Sequence, residues 1–416
     1  MDKKRYELGV QDLYFLALNE TKISSTPLFA ATLSQRVDTE ALKRATERAL
    51  ACYPIFATTL DFSHGKYSLE ENTSDVTVAD FEDGKPVFFG KKLSGYPFRI
   101  SADENVITLE WSRVITDAFG ARDFFVAILS AYFGTDITAP SESGVGAFLE
   151  TLEAPQKSSA PKSTPVAPSA PPANDGKKDY SKIKSAKIPM KSNAQSPRVH
   201  SIEVSLQDLK ARVGAGDISA EAVIIPIFAN VLSRRVGEGA NVTVDLQLDL
   251  RESVGKPSAH NFSVSKTLNY SNSYGKADAT RLMKMYDKLI ASAKEAENAR
   301  KQADLAVKSV KPLVSLRPRV LLDIATMVVC GAIIKERSNF SVQNVGKISL
   351  PDSITPSILS ICLAETLPNA EACISILELE DRAVITLTES YEDESIATDF
   401  IGILNTLGIA IYNITE

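Results

Sequence analysis

Trp111-Ser112-Arg113-Val114-Ile115-Thr116-Asp117-Ala118-Phe119-Gly120 is the stretch from which the rest of the chain can be read. Val106 to Trp111, which leads into it, alternates: Ile107, Leu109 and Trp111 fall on one face and Thr108, Glu110 and Ser112 on the other, the period of a strand. Arg113 continues the apolar face, where an unpaired guanidinium is costly. After Asp117 the spacing turns helical, with Phe119 or Phe124, Ile128, Ala131 and Tyr132 in one stripe and Gly134 as C-cap. The sequence thus predicts a strand, a tight loop and a helix.

Upstream, Thr26 to Leu33 reads as extended. A helix then follows the N-cap Asp38, with Leu42, Ala45, Ala49 and Tyr53 on one face and Pro54 as its stop. Downstream, residues 154–197 are rich in Pro, Ser, Ala and Lys, a composition that buries little apolar surface and reads as a flexible linker. It separates 1–153 from 198–416. The second half predicts a strand over Val199–Val204, a capping box from Ser205 to Asp208, and a helix from Ser219 toward Arg235 bent at Pro226. A strand over Asn241–Leu248 follows, then one long amphipathic helix from Lys276 to Leu305, a buried helix at Val320–Ile334 and an extended segment over Ser341–Leu350. Ala372–Glu378 and Ala383–Thr388 pair about a turn at Glu380-Asp381, and Ser395–Leu404 and Ile409–Tyr412 close the chain as helix and strand. Both halves mix strands and helices, an α/β class. A chain of 416 residues with 44% apolar content exceeds what one core usually serves, which predicts two lobes.

A net charge of -6 without a basic run in a folded segment gives no reason to expect a nucleic-acid partner. The start, Met1 to Leu8, carries no continuous apolar stretch, so a cytoplasmic location is expected. Val320–Ile334 is short of the ~20 apolar residues a bilayer needs and contains Asp323, so no membrane span is expected. Cys52, Cys330, Cys362 and Cys373 form no C-x-x-C pair and lie away from His, which predicts buried free thiols and no metal site. Of the three histidines, His64 and His200 read as surface residues, while His260 lies just before Asn261.

Four separated segments carry a resemblance. Ala41 to Ile55 ends in Tyr53-Pro54-Ile55; Trp111 to Gly120 has the layout of a His-x-x-x-Asp-Gly loop; Val244 to Arg251 is followed by His260-Asn261-Phe262; and Phe340 to Pro351 contains Asn344-Val345-Gly346. Their order resembles that of the chloramphenicol-acetyltransferase-like superfamily, in its bacterial alcohol-acetyltransferase-like branch, to which condensation domains and wax-ester synthases also belong. The resemblance implies two lobes built as a pseudo-dimer, with a tunnel between them that admits acyl donor and acceptor from opposite faces.

In that family the motif His is the general base that takes a proton from an alcohol, amine or thiol attacking an acyl thioester. Such a base needs a free lone pair near the working pH. Arg113 stands at the His position, and a guanidinium stays protonated and has no acceptor lone pair. The resemblance therefore implies an acyltransferase-like protein of weak or altered activity, or a non-catalytic relative that binds a metabolite or a protein partner. Arg113 is either a buried, paired structural residue, with Asp117 as one candidate partner, or a fixed charge for a carboxylate, phosphate or thioester oxygen. Asp117 is the family's structural motif Asp, and Arg251 is the other candidate for its salt bridge. Ala118 replaces the motif Gly. His260 is the candidate for a displaced base, and Trp111, Ser112, Gly120, Asn261 and Asn344 are the substrate-binding candidates. The co-substrate implied is acyl-CoA or a carrier-protein thioester, with a small-molecule acyl donor and acceptor as partners. A chain carrying both halves of its site is expected to act as a monomer.

Overall fold

The computed structural model describes residues 4–8, 12, 15–16, 26–63, 66–80, 95–137, 188, 197–211, 218–236, 240–251, 258–271, 273–274, 278–314, 338–367, 369–391 and 393–415. The strands of the first half are β1 (Arg5–Glu7), β2 (Leu28–Leu33), β3 (Thr58–Ser63), β4 (Lys66–Glu71), β5 (Val78–Ala79), β6 (Phe98–Asp103) and β7 (Val106–Trp111). Its helices are α1 (Thr39–Cys52) and α2 (Ala118–Tyr132). The Asp38 carboxylate accepts from the amides of Glu40 and Ala41, satisfying two of the donors that a helix start leaves without intrahelical partners. Gly134 has φ +76°, and the amide that follows it, of Thr135, donates to Ser130 O, closing α2.

The second half contributes α3 (Leu206–Ala211), α4 (Ala220–Ser233), α5 (Ala279–Lys294), α6 (Ala296–Val314) and α7 (Ser395–Thr406). Its strands are β8 (Arg198–Ser205), β9 (Asn241–Asp249), β10 (Ser263–Ser271), β11 (Ser338–Lys347), β12 (Ile358–Ala364), β13 (Ala370–Leu379), β14 (Arg382–Glu389) and β15 (Ile411–Thr415). Seven strands form one mixed sheet in the order β10-β9-β11-β13-β14-β8-β15. One of its faces buries Val244, Phe340, Val342, Ile374, Ile385 and Leu387 in a core with Phe228 of α4 and Phe400 of α7. The Phe228 ring meets Phe340 at 5.0 Å and Phe400 at 5.4 Å, edge to face. Each fully buried Phe of this kind contributes about 1.5–3 kcal/mol.

The first lobe's sheet runs β12-β2-β7-β6-β5, with β1-β4-β3 as a separate small sheet. Its outermost strand on one side, β12, comes from the second half: the chain leaves β11, pairs Ile361 opposite Ala31 and Leu363 opposite Phe29, and returns to the larger sheet as β13. Ile348, Ile354, Ile361 and Leu363 accordingly share a core with Phe29, Trp111, Phe124 and Ile128.

One expectation is corrected, and two fall on residues outside those described: the helix at Val320–Ile334 and, apart from residues 188 and 197, the linker at 154–197. The long helix read from Lys276 to Leu305 is two helices, α5 and α6, broken at Glu295, whose ψ of 133° is extended. The apolar stripe of α5 is Leu282, Met283, Tyr286, Ile290 and Ala293, whereas α6 buries Ala299 and Ala303 and packs on β10, so the two stripes need different axes. Within the span read as linker, Ile188 is buried in the second lobe's core.

Candidate functional site

Asp117 is the N-cap of α2, and its carboxylate gathers four donors. Gly120 N donates at 3.0 Å, Phe262 N at 2.7 Å, and Arg251 through Nη2 at 2.8 Å and Nη1 at 3.3 Å. Burial would raise this carboxyl, but the Arg251 guanidinium, its hydrogen bonds and the two amides outweigh burial and hold it below the usual carboxylate range. Arg251 also donates to Asp249 Oδ1 at 2.8 Å, Ser258 O at 2.6 Å and His260 O at 2.7 Å. Its guanidinium carbon lies 5.8 Å and 5.9 Å from the ring centroids of Phe119 and Phe262. Gly120 allows the close approach that this clamp needs: a Cβ there would lie 2.2 Å from Thr116 Oγ1 and 2.4 Å from Ala259 O, which themselves hydrogen-bond at 2.6 Å.

Arg113 does not reach Asp117. Strand β7 stops at Trp111, and Ile115 N turns back to Ser112 O, so the strand alternation no longer aims position 113. Arg113 Nη2 instead donates to Glu365 Oε2 at 2.9 Å, with both side chains buried. Glu365 follows the last residue of β12. Burial pushes its carboxyl up, Asp117 adds to this, and Arg113 and a hydrogen bond from Gln343 oppose it. Cys373 lies in the same cluster: burial and then Glu365 raise its thiol to about 12, while Ser341 Oγ donates to its sulfur at 3.1 Å. A thiol held there is protonated at neutral pH and is no nucleophile.

His260 and Asn261 hold the loop from the second lobe's side. His260 Nδ1 lies 3.0 Å from Ile115 O and Nε2 lies 3.1 Å from Asp12 Oδ2, so both ring nitrogens are engaged by oxygen atoms of the protein. Asn261 Nδ2 donates to Arg113 O at 2.8 Å and to Asp12 Oδ1 at 3.1 Å. Asn344 fastens a β-bulge: its Oδ1 accepts Gly346 N at 2.9 Å, where φ is +74°, and its Nδ2 donates to Glu221 Oε2 at 2.9 Å. Trp111 is buried and stacks on Phe29 with centroids 5.3 Å apart. Ser112 is also buried. Of the remaining histidines, His200 is not at the surface but buried, with Nε2 3.7 Å from Glu389 Oε1, because strand alternation puts it on the core face of β8 with Ile202 and Val204, opposite Leu387 of β14. The side chain of His64 lies outside the described residues.

No family model matches the sequence, and no curated protein does. Solved structures match over almost the whole chain. The condensation domain of the monacolin K polyketide synthase MokA superposes with a TM-score of 0.60 at 10% identity, covering 98% of this chain and 97% of that one. F. sporotrichioides TRI101, solved with coenzyme A and T-2, gives 0.59 at 11% identity over 98% and 99%. Polyketide synthase associated protein 5 from Mycobacterium tuberculosis gives 0.58 at 13% identity over 96% and 97%. The chain has the condensation-domain fold.

Within that two-lobed fold, the clamp of Asp117, Arg251, His260 and Asn261 ties loop 112–117 to loop 258–262, and the Arg113–Glu365 pair ties the same loop to the end of β12. What this can do chemically is fix a loop and present buried hydrogen-bonding groups; among the described side chains of the loop itself, the carboxylate of Asp117 is taken up by four protein donors. Asp12, Glu365, Gln343, Ser341 and Cys373 escaped the sequence reading. Two signals pointed to some of them: an acid directly after the apolar run Ile361-Cys362-Leu363-Ala364, and the strict alternation of Phe340-Ser341-Val342-Gln343. Among the described residues, no group of three or more His, Cys, Asp or Glu could hold a metal ion, and no helix is long and apolar enough to cross a membrane.

Proposed function

We propose that this chain is an acyl-thioester-binding protein of the condensation-domain fold that has given up proton abstraction at the motif position. The observation that carries this reading is the buried Arg113–Glu365 ion pair, 2.9 Å long. A general base must hold a free lone pair near the operating pH and contributes ~10²–10⁴-fold to such reactions. The Arg113 guanidinium has none, and the Glu365 carboxylate faces a cation and the Gln343 amide. Arg113 is thus a residue that holds the loop, with Asp117 and Arg251 as its supporting salt bridge. The engagement of both His260 nitrogens within the protein supports the same reading, in which His260 is not a substitute base.

Thioester binding is supported by the fold-level likeness to F. sporotrichioides TRI101, which was solved with coenzyme A. The donor would be acyl-CoA or a carrier-protein thioester. The test is release of free coenzyme A from a panel of acyl-CoAs mixed with alcohols and amines, read by mass spectrometry, beside calorimetric titration of the same acyl-CoAs. Binding without release by the wild type, and release by Arg113→His, is the expected outcome. Release by the wild type above a protein-free control would overturn the loss of chemistry. Absence of binding up to millimolar acyl-CoA would overturn the reading as a whole.

A further inference from the structure

The face of the seven-stranded sheet opposite its own apolar core carries a polar stretch that is nonetheless covered, and beside it Leu377, Leu379 and Val384 on the same face pack in the first lobe's core. Register places Gln343 of β11 beside Ser375 of β13, Ser375 beside Thr386 of β14, and Thr386 beside Ser201 of β8, a transverse row across four strands. The neighbouring row runs Thr267, Asp245, Ser341, Cys373 and Thr388. Side chains one residue away on the same strands, Val342, Ile374, Ile385 and Leu387, all point into the core. A sheet with one face on a core ordinarily turns a polar face to bulk water. Here Gln343, Ser375, Thr386 and Ser201 are only 4%, 2%, 1% and 7% exposed. This polar stretch is closed off from bulk solvent and borders the first lobe's apolar core.

Part of the row is satisfied within the protein. Gln343 Nε2 donates to Ser375 Oγ at 3.1 Å and its amide also reaches Glu365, which joins the row to the Arg113 ion pair. Thr386 Oγ1 is different: it is fully buried and has no hydrogen-bond partner among the described residues. A buried hydroxyl left without a partner is destabilising, and Val at this position would have the same shape without that cost.

We propose that Gln343, Ser375, Thr386 and Ser201 form a binding surface for the acyl part of the thioester, and that they select an acyl chain carrying amide or hydroxyl groups along its length over an alkyl chain. The inference rests on the thioester-binding reading above and names the substrate class for it. Thr386 supplies the hydrogen bond that the free protein lacks. Gln343 carries the row up to the ion pair, so the polar chain would run from the Arg113 end toward β8.

The test uses the full chain and two pantetheine thioesters matched in length, N-acetylglycylglycyl and octanoyl, titrated calorimetrically into the wild type and into Thr386→Val. The wild type is expected to bind the peptide-like thioester at least about tenfold more tightly, and Thr386→Val to reduce that preference to threefold or less. The melting midpoint of Thr386→Val without ligand is expected to rise by about 1–2 °C, because an unpartnered hydroxyl is removed. Equal or tighter binding of the octanoyl thioester would overturn the selectivity, as would an unchanged ratio in the variant. A midpoint lowered by 2 °C or more would mean that the hydroxyl is satisfied inside the protein, and would overturn its role in binding. If neither thioester binds, the thioester-binding reading itself fails and this inference falls with it, an outcome distinct from binding with the wrong preference.

Discussion

Removing one member of a buried ion pair leaves the other's charge without compensation and typically costs ~3–5 kcal/mol, whereas replacing both by apolar groups is often close to neutral. Arg113→Met and Glu365→Leu should therefore each lower the urea midpoint by that order, and the double variant should recover most of the loss. Additive losses in the double variant would show that the two side chains do not act as a pair. Gly120 makes a separate demand, for space: Gly120→Ala forces a methyl against Thr116 and Ala259 O and should cost about 1–3 kcal/mol by the same measurement. The residue-scale chemistry was half legible in the sequence. Arg113 at the end of an apolar strand face announces a buried cation that needs a partner, but Glu365 lies 252 residues away, and no spacing rule connects them. For Asp117 the family resemblance offered Arg251 and Arg113 as alternative partners, and it is Arg251 that donates to it. His200 misled because it stands just after the Pro- and Lys-rich span, although the alternation His200, Ile202, Val204 puts it on the core face of its strand.

Helix α2 is held by Asp117 at its start and by the left-handed Gly134 at its end, and the first of these links the element to pH. The Asp117 carboxyl titrates lower in the folded chain than its ordinary value of 3.8. A lowered folded-state value means that its stabilisation is fully present above the unfolded value and is lost as pH falls through the folded one. Wild-type stability should therefore drop more steeply below pH 3.8 than that of Asp117→Asn, which should already be several kcal/mol weaker at pH 7; urea midpoints measured from pH 7 to pH 2 check both. Parallel slopes in the two proteins would show that Asp117 does not carry the acid response. At this scale most helices could be read because apolar stripes and caps agree, as in Asp38 with Leu42, Ala45 and Ala49. Strand β10, Ser-Val-Ser-Lys-Thr-Leu-Asn-Tyr-Ser, could not, since its side chains on one face are Ser, Ser, Thr, Asn and Ser, the composition of a loop. The break between α5 and α6 was equally hidden, because Glu295 is a good helix former and the kink follows from the two packing directions.

At the scale of the whole molecule, the two halves on either side of residues 154–197 do not each own a complete sheet. Strand β12 belongs by sequence to the second half and by pairing to the first lobe, where it joins β2 over Leu28–Leu33. With it come Ile348, Leu350, Ile354, Ile358, Ile361 and Leu363, all buried against the first lobe's core. A fragment of residues 1–197 would lack these contacts and leave the outer side of β2 as an open edge beside exposed apolar surface. Burial of each of those six Ile and Leu side chains contributes on the order of 1.5–3 kcal/mol, so their joint loss is comparable with the 5–15 kcal/mol that typically separates folded from unfolded chains. The fragment should be insoluble or lack a cooperative thermal transition when produced alone. Produced together with residues 198–416, it should form a soluble complex with one transition, detectable by size-exclusion chromatography and circular dichroism. A fragment that melts cooperatively by itself would mean that β12 is a covering strand rather than a part of the first lobe's core. The same crossing explains why the motif loop sits where it does: Glu365, which holds Arg113, is the residue directly after the strand that the second half lends to the first.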